Sequence, residues 1–135
     1  MKFLILFSTL ILMLSPSCKK QQTNKEIEIN YTAQTRGFKY VLHLKNNVLK
    51  IDKNNVVKEI ILNKSQYDNI DSLVNNINFI KIENNISIDD LAVDRVIKGV
   101  FTIDLKEKKY EFEFNHQKLP DTIQNLLNKL EKFLN

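Results

Sequence analysis

Apolar residues recur at every second position in two stretches that follow residue 26. The first stretch has Ile27, Ile29, Tyr31 and Ala33, and the second has Phe38, Tyr40, Leu42 and Leu44. This period of two predicts two half-buried β-strands. Shorter apolar stretches over residues 48–51 and 56–62 follow the pairs Asn46-Asn47 and Asn54-Asn55, which are typical of tight turns, the first with positive φ values. Residues 26–62 are therefore predicted to form a four-stranded antiparallel meander.

The apolar period then lengthens. Ile70, Leu73, Val74 and Ile77 are spaced i, i+3, i+4 and i+7, which predicts an amphipathic helix packed on the sheet. Ser65 is the expected N-cap of this helix, because the acid Asp68 follows three residues later. Residues 87–95 are compatible with a short helix or with an acidic loop, and both alternatives stay open.

Alternation returns in the last third of the chain. Residues 97–105 and 110–114 predict a hairpin across the charged turn at 107–109. Pro120 suits the first turn of a final helix, whose apolar stripe runs from Ile123 to Leu134. The predicted order is ββββ-α-ββ-α. This is an α+β fold in which two helices pack on one face of an antiparallel sheet of about six strands.

The start of the chain has a different pattern. Lys2 precedes an apolar run over residues 3–14, and small or turn-forming residues lead from there to Cys18. This pattern indicates a secretory signal peptide, and the run is shorter than the roughly 20 residues of a membrane span. A cysteine directly after such a segment resembles the lipobox of bacterial lipoproteins, although Ser15 stands where the box usually has leucine. The resemblance implies a signal peptide at 1–17 and lipid attachment at Cys18; the alternatives are an ordinary cleaved signal peptide with a free thiol and an uncleaved anchor.

Two longer stretches carry a second resemblance. One begins at Thr35 with TRGFKYVLHLKNNVLKI, and the other begins at Asp89 with DDLAVDRVIKGVFTIDLKEKKYEFEFNHQKLPDTIQNLL. Together they resemble small, largely uncharacterised lipoproteins of the Bacteroidetes, in which an Arg-Gly turn precedes a strand and a hairpin ends in a Phe-Asp-His-Gly…Pro sequence. Here Asn115 and Gln117 replace the Asp and the Gly. The resemblance implies location and architecture, and it brings no established activity.

Residues 18–25 form the expected tether between the signal peptide and a single domain at 26–135. Lys19 and Lys20 would each add about 1 kcal/mol of binding on an anionic leaflet, and two or three acyl chains hold far more firmly than one. Surface-exported lipoproteins of the Bacteroidetes tend to carry acids just after the cysteine, and KKQQTNK has none. The resemblance therefore implies an outer-membrane lipoprotein that faces the periplasm, with the membrane as partner through the lipid on Cys18.

The composition argues against several kinds of binding site. The net charge is +4 with acids interspersed, and no basic stripe with interleaved aromatics indicates nucleic-acid binding. The chain has only two glycines, which are too few for a glycine-rich loop that binds phosphate. His43 is expected on a solvated strand face, and together with the distant His116 it does not complete a zinc site. We expect no cofactor, no metal site and no nucleic-acid partner.

The candidates for a functional surface are Arg36, Asp94 and His116. His116 stands where a strand meets a helix. Either it hydrogen-bonds the backbone there together with Asn115, or it belongs to a site in which Asp94 is the orienting acid. The Arg36-Gly37 pair has two interpretations. Either Gly37 is needed for a positive φ angle, or Arg36 pairs with Asp94 or with the membrane side.

The sequence favours a domain that binds another envelope protein and has no catalytic centre, because no nucleophile with its base, metal cage or pair of tuned carboxylates is evident. The alternatives are an inhibitor-like domain against a hydrolase and an enzyme centred on His116. A flat exposed apolar patch would favour binding. A protruding loop over residues 79–90 would favour the inhibitor, and a concave pocket around His116 would favour the enzyme.

Overall fold

The computed structural model describes residues 27–87, 89, 96–106 and 108–135. The predicted signal peptide, Cys18, the tether and Asp94 lie outside the described residues, so the predictions made for them stay predictions. Within the described part, the chain forms six strands and two longer helices in the order ββββ-α-ββ-α. The predicted α+β fold is confirmed.

The strands form one antiparallel sheet in the spatial order β4-β3-β2-β1-β5-β6. In chain order they are β1 (Glu28–Gln34), β2 (Lys39–Lys45), β3 (Val48–Lys53), β4 (Val56–Ile61), β5 (Lys98–Leu105) and β6 (Lys108–Asn115). The first four are sequential neighbours, and β5 returns to pair with β1. This crossover makes β1 a central strand and leaves β4 and β6 as the two edges.

Two asparagine pairs make the tight turns of the meander. The φ angles are 50° and 64° at Asn46 and Asn47, and 51° and 69° at Asn54 and Asn55. Asparagine tolerates this left-handed region better than most residues, so the predicted turns are confirmed. The interpretation of Gly37 is wrong, because neither glycine has a positive φ. The bend around Gly37 is instead closed by the Thr35 N–H, which donates to the Phe38 carbonyl at 2.8 Å.

Helices α1 (Lys64–Asn75) and α2 (Asp121–Lys132) pack on one face of the sheet. Alternate strand residues point to this face and are buried, which is the outcome that the period of two predicts. The helices contribute Ile70, Val74, Ile123, Leu126, Leu127 and Leu130 to the same core. Burial of these apolar side chains, at about 1.5–3 kcal/mol for each large one, is the main force that holds the two layers together.

The helix N-caps differ from the prediction. Asn63, not Ser65, caps α1: its Oδ1 accepts from the Gln66 N–H at 2.9 Å, and Gln66 Oε1 accepts from the Asn63 N–H at 2.9 Å. This reciprocal capping box satisfies two backbone donors at once, whereas Ser65 is already inside the helix. Pro120 is the N-cap residue of α2 and lies one position before its first turn.

The segment after α1 lies along the outer edge of β6. Phe79 is buried at the start of a short 3-10 helix, Phe79–Lys81. Asn84 Oδ1 accepts from the Glu113 N–H at 2.9 Å, and Asn85 Oδ1 accepts from the Asn115 N–H at 2.7 Å. The side-chain amides of Asn84 and Asn85 therefore cover strand-edge donors of β6.

Candidate functional site

His116 follows the last residue of β6 and begins a short 3-10 helix, His116–Lys118. The Tyr31 hydroxyl lies 2.7 Å from His116 Nδ1, and the His116 tautomer decides which of the two groups donates. The His116 N–H donates to the Ile97 carbonyl at 2.8 Å, as the backbone alternative predicts, whereas the His116 ring nitrogen bonds a tyrosine. Asn115 does cap the backbone, since its Oδ1 accepts from the Gln117 N–H at 3.0 Å.

Small neighbours allow Tyr31 to reach His116. Tyr31 is fully buried on β1, and the Tyr31 ring lies over Gly99 on the adjacent strand β5. A Cβ added at Gly99 would lie 2.9 Å from Cε2 and Cζ of the Tyr31 ring and closer still to the hydroxyl. Ala33, which pairs with Gly99 across the two strands, is also small. Gly99 is thus required for the close approach of a ring, and not for its backbone conformation.

Three aromatic rings surround the imidazole. The His116 ring centroid lies 4.8 Å from that of Phe38, 5.6 Å from that of Tyr40 and 5.8 Å from that of Tyr31. Burial among these rings lowers the pKa of His116, and the positive charge of Lys53 adds to the effect. The imidazole is therefore kept neutral over a wider pH range than a free histidine.

A second network joins the sheet to α2. Glu131 Oε1 accepts from the Tyr40 hydroxyl at 2.5 Å, and Glu131 Oε2 accepts from Lys53 Nζ at 2.7 Å. Lys53 lies opposite Tyr40 on the neighbouring strand, with its Nζ 5.0 Å from the Tyr40 ring centroid. Burial raises the pKa of Tyr40 above its ordinary value, and the hydrogen bond and charge of Glu131 raise it further. Both Glu131 oxygens are thus engaged by donors of this chain.

These groups line a cleft of about 340 Å³ between the sheet and α2. Phe38, Tyr40 and His116 give it an aromatic wall, and Asn54, Gln124 and Asn128 supply amides. Within the described residues, His116 Nε2 has no hydrogen-bond partner. The cleft can therefore offer a ring nitrogen, amides and aromatic faces to a polar molecule.

The residues singled out from the sequence have different outcomes. His116 lines the cleft, but Arg36 lies in an exposed bend and makes no ion pair with any described residue. Asp94 and Cys18 lie outside the described residues, so the proposed pairs of Asp94 with Arg36 or His116 stay predictions. His43 is half exposed, as expected, and its Nε2 lies 3.5 Å from Glu28 Oε1.

Four functional neighbours of His116 were not predicted from the sequence: Tyr40, Lys53 and Glu131 in the cleft lining, and the buried Tyr31. Tyr31 and Tyr40 occupy core-facing positions of strands, where a buried hydroxyl needs a polar partner. That requirement was the available signal, together with a glycine in mid-strand at Gly99. Nothing local points to Lys53 or Glu131, because they meet only through the tertiary fold.

A second candidate surface is the outer edge of β4. Three apolar side chains are exposed there: Val56 at 63%, Val57 at 52% and Ile61 at 75%. Among the described residues none pairs with this edge, whereas the end of the opposite edge of the sheet is covered by Asn84 and Asn85. Exposed apolar groups on an open strand edge favour pairing with another chain.

No family model, curated protein or solved structure matches the chain. In the part of the chain that the structure describes, no helix has the length and apolar character needed to cross a membrane. Over the same residues, no group of three or more histidine, cysteine or acidic side chains could hold a metal ion.

Proposed function

We propose that the chain is a lipid-anchored, periplasm-facing protein of the outer membrane whose domain acts as a non-catalytic binding module for another envelope protein. The anchor part rests on the sequence at residues 1–25. The binding part is supported by one observation above all, the exposed apolar edge at Val56, Val57 and Ile61. Exposed apolar side chains on an unpaired strand edge support binding to another chain.

The anchor is tested by metabolic labelling with a fatty acid. The native chain should incorporate the label and partition with membranes, because two or three acyl chains hold firmly. Cys18→Ser should lose the label and accumulate as precursor or be released. A labelled Cys18→Ser protein would disprove attachment at this cysteine.

The orientation is tested with proteinase. Intact cells should protect the domain, and opening the outer membrane should expose it to digestion. A periplasmic protein that is known to be protected serves as the control in the same cells. Digestion on intact cells would place the domain outside.

The binding surface is tested by site-specific photocrosslinking in native envelopes. A photoreactive residue replaces Val57 on the open edge in one variant and the exposed Glu111 on β6 in the matched control. We expect a discrete adduct only at position 57. An adduct of the same size at both positions, or at neither, would contradict binding through this edge.

An enzyme centred on His116 is the second candidate, and the concave cleft favours it. A neutral imidazole with one nitrogen engaged by Tyr31 can act in proton transfer through the other. Both oxygens of Glu131, the carboxylate in the cleft lining, are already engaged by Tyr40 and Lys53, which argues for a structural role of that acid. A panel of peptides, glycans and esters should give no turnover; turnover that His116→Ala removes with an unchanged fold would favour the enzyme.

The inhibitor hypothesis requires a protruding loop over residues 79–90. The start of the segment at 79–90 does not protrude, because Phe79 is buried and Asn84 and Asn85 hydrogen-bond to β6. We therefore favour the β4 edge over this segment as the binding surface.

A further inference from the structure

We infer that the open edge of β4 takes up an extended segment of a partner protein by antiparallel strand addition. The segment has an acidic residue opposite Lys58, a basic residue opposite Glu59, and apolar residues opposite the rest of β4. This inference rests on the proposed binding function and specifies the chemistry of its partner.

The backbone of β4 is the first requirement for strand addition. β4 uses one side to pair with β3 from Val56 to Ile61, and its other side pairs with no described residue. The β6 edge is less available, since Asn84 and Asn85 already occupy its N–H groups at Glu113 and Asn115. Main-chain hydrogen bonds to an added strand would supply affinity, and side-chain contacts would supply specificity.

The side chains of β4 divide between two faces. Val56, Lys58 and Ile60 lie on the helix side, because Ile60 opposes Leu49 and Lys58 opposes Ile51, which are both core residues. Val57, Glu59 and Ile61 alternate with them and lie on the other side.

On the helix side, a groove of about 110 Å³ runs between β4 and the end of α2. Its apolar lining comes from Ile51, Val56 and Leu134. An added strand places every second side chain on this side. An apolar side chain opposite Val56 would therefore lie beside the groove.

The charges in the middle of β4 define the rest of the pattern. Lys58 Nζ contacts only a neutral oxygen among the described residues, Asn135 Oδ1 at 3.3 Å. Glu59 pairs loosely with Lys50, with the nitrogen and oxygen 3.9 Å apart. Opposite charges directly across an antiparallel pair stabilise it, and like charges destabilise it. An acid opposite Lys58 and a base opposite Glu59 therefore complement both sites.

A second copy of this chain fits the edge poorly. When two folded copies pair edge to edge in antiparallel orientation, their helix layers lie on the same side of the joint sheet. Residues that oppose each other must then come from the same face, so Lys58 cannot oppose Glu59 of the other copy. The two registers that overlap β4 most fully place Lys58 against Lys58 or Glu59 against Glu59, and both pairs repel.

A free peptide escapes this restriction because no helix layer fixes its face. The β4 sequence itself, Val-Val-Lys-Glu-Ile-Ile, has the complementary pattern when it pairs antiparallel, with its glutamate opposite Lys58 and its lysine opposite Glu59. The matched control, Val-Val-Glu-Lys-Ile-Ile, places like charges at both positions. Composition, length and hydrophobicity are identical in the two peptides.

The experiment measures binding of both peptides, each with a fluorophore on a soluble linker, to the full chain in detergent by fluorescence anisotropy. We expect the Lys-Glu peptide to bind about tenfold more tightly than the Glu-Lys peptide. The charge-reversed protein, Lys58→Glu with Glu59→Lys, should invert this preference. Circular dichroism of both proteins shows whether the reversal preserves the fold.

Several results would overturn the inference. Equal binding of the two peptides would disprove the charge pattern. The absence of binding by either peptide would disprove strand addition. Changes in the NMR chemical shifts of backbone amides at His116 rather than along β4 would show that the peptide binds elsewhere. A dimer of the full chain that Val57→Lys dissociates would make a second copy the occupant. The photocrosslink at position 57 remains informative in each case, so failure of this inference is distinguishable from failure of the proposed function.

Discussion

The Tyr31 hydroxyl and His116 Nδ1 lie 2.7 Å apart, although 85 positions separate the two residues in the chain. This contact joins the central strand β1 to the residue that follows the edge strand β6. Three residues pack around this contact: Gly99 lies under the Tyr31 ring, and Phe38 and Tyr40 lie beside the imidazole. The contact therefore links the core of the sheet to the wall of the cleft.

Tyr31→Phe tests the energetic contribution of this contact. The substitution removes the hydroxyl from a fully buried position and leaves His116 Nδ1 without its partner, so we expect a loss of about 1–2 kcal/mol in the free energy of unfolding. Urea unfolding measures it. Tyr110→Phe is the control, because the Tyr110 hydroxyl makes no hydrogen bond with any described residue and its loss should cost less than about 0.5 kcal/mol. Equal losses of stability in the two variants would show that the contact between Tyr31 and His116 does not contribute to stability.

Gly99→Ala tests the close approach of the Tyr31 ring. The added methyl would overlap the ring of a buried tyrosine, and overpacking of this kind costs about 1–3 kcal/mol. Gly37→Ala is the matched control, since its added methyl meets nothing within 4 Å and its φ is not positive. Thermal and urea unfolding should separate the two variants clearly. An unchanged stability in Gly99→Ala would show that Tyr31 can move aside freely.

The lowered pKa of His116 predicts a pH dependence of stability. Burial and Lys53 favour the neutral ring in the folded state, so the unfolded chain takes up a proton at higher pH than the folded chain does. Stability from this group is complete above the ordinary value of 6.5 and is lost as the pH falls through the lower folded pKa. The native protein should therefore lose more stability than His116→Gln between about pH 7.5 and about pH 5.

Lys53→Met refines the same measurement. Removing the cation should raise the pKa of His116 towards its ordinary value and reduce the pH-dependent loss, because Lys53 is the second cause of the shift. Burial by the aromatic rings persists in this variant. A steeper loss in Lys53→Met than in the native protein would contradict the assigned cause.

Coupling between Tyr40 and Glu131 is tested by a double-mutant cycle. Tyr40→Phe removes the donor and Glu131→Ala removes the acceptor of the hydrogen bond that ties β2 to α2. A hydrogen bond to a charged group contributes about 1.5–3 kcal/mol, so the double variant should be destabilised by less than the sum of the single variants. The pair Tyr40→Phe with Asp68→Asn, on separate elements without a shared contact, should be additive within about 0.5 kcal/mol.

The strand and turn pattern was predictable because it depends on neighbours in the chain. A period of two marks β1, β2 and β5, and the paired asparagines supply the positive φ angles that the meander needs. Helix starts were less predictable. Asn63 and Ser65 are both good capping residues, and only the Gln66 side chain, which returns to the Asn63 N–H, decides between them.

His116 was predicted as a candidate from its place between a strand and a helix, but its partner was not. The sequence offered Asp94 and Asn115, which are nearer to His116 in the chain than Tyr31 is, whereas the actual partner is Tyr31 on the central strand. Lys53 and Glu131 were not predicted for the same reason, since 78 positions separate the two residues and α2 brings them together. A single sequence does not encode such pairs as a local pattern.

The sequence by itself determined the element order, the buried face of the strands with alternating apolar residues and the two Asn-Asn turns, because hydrophobic period and backbone preference act over a few residues. Only the tertiary structure decided which strands are edges. Residues 56–61 have the same apolar character whether β5 pairs with β4 or with β1, and the observed pairing with β1 is what leaves Val57 and Ile61 exposed. The cleft has the same origin, because the return of β5 to β1 brings Gly99 under Tyr31 and β6 carries His116 to its hydroxyl.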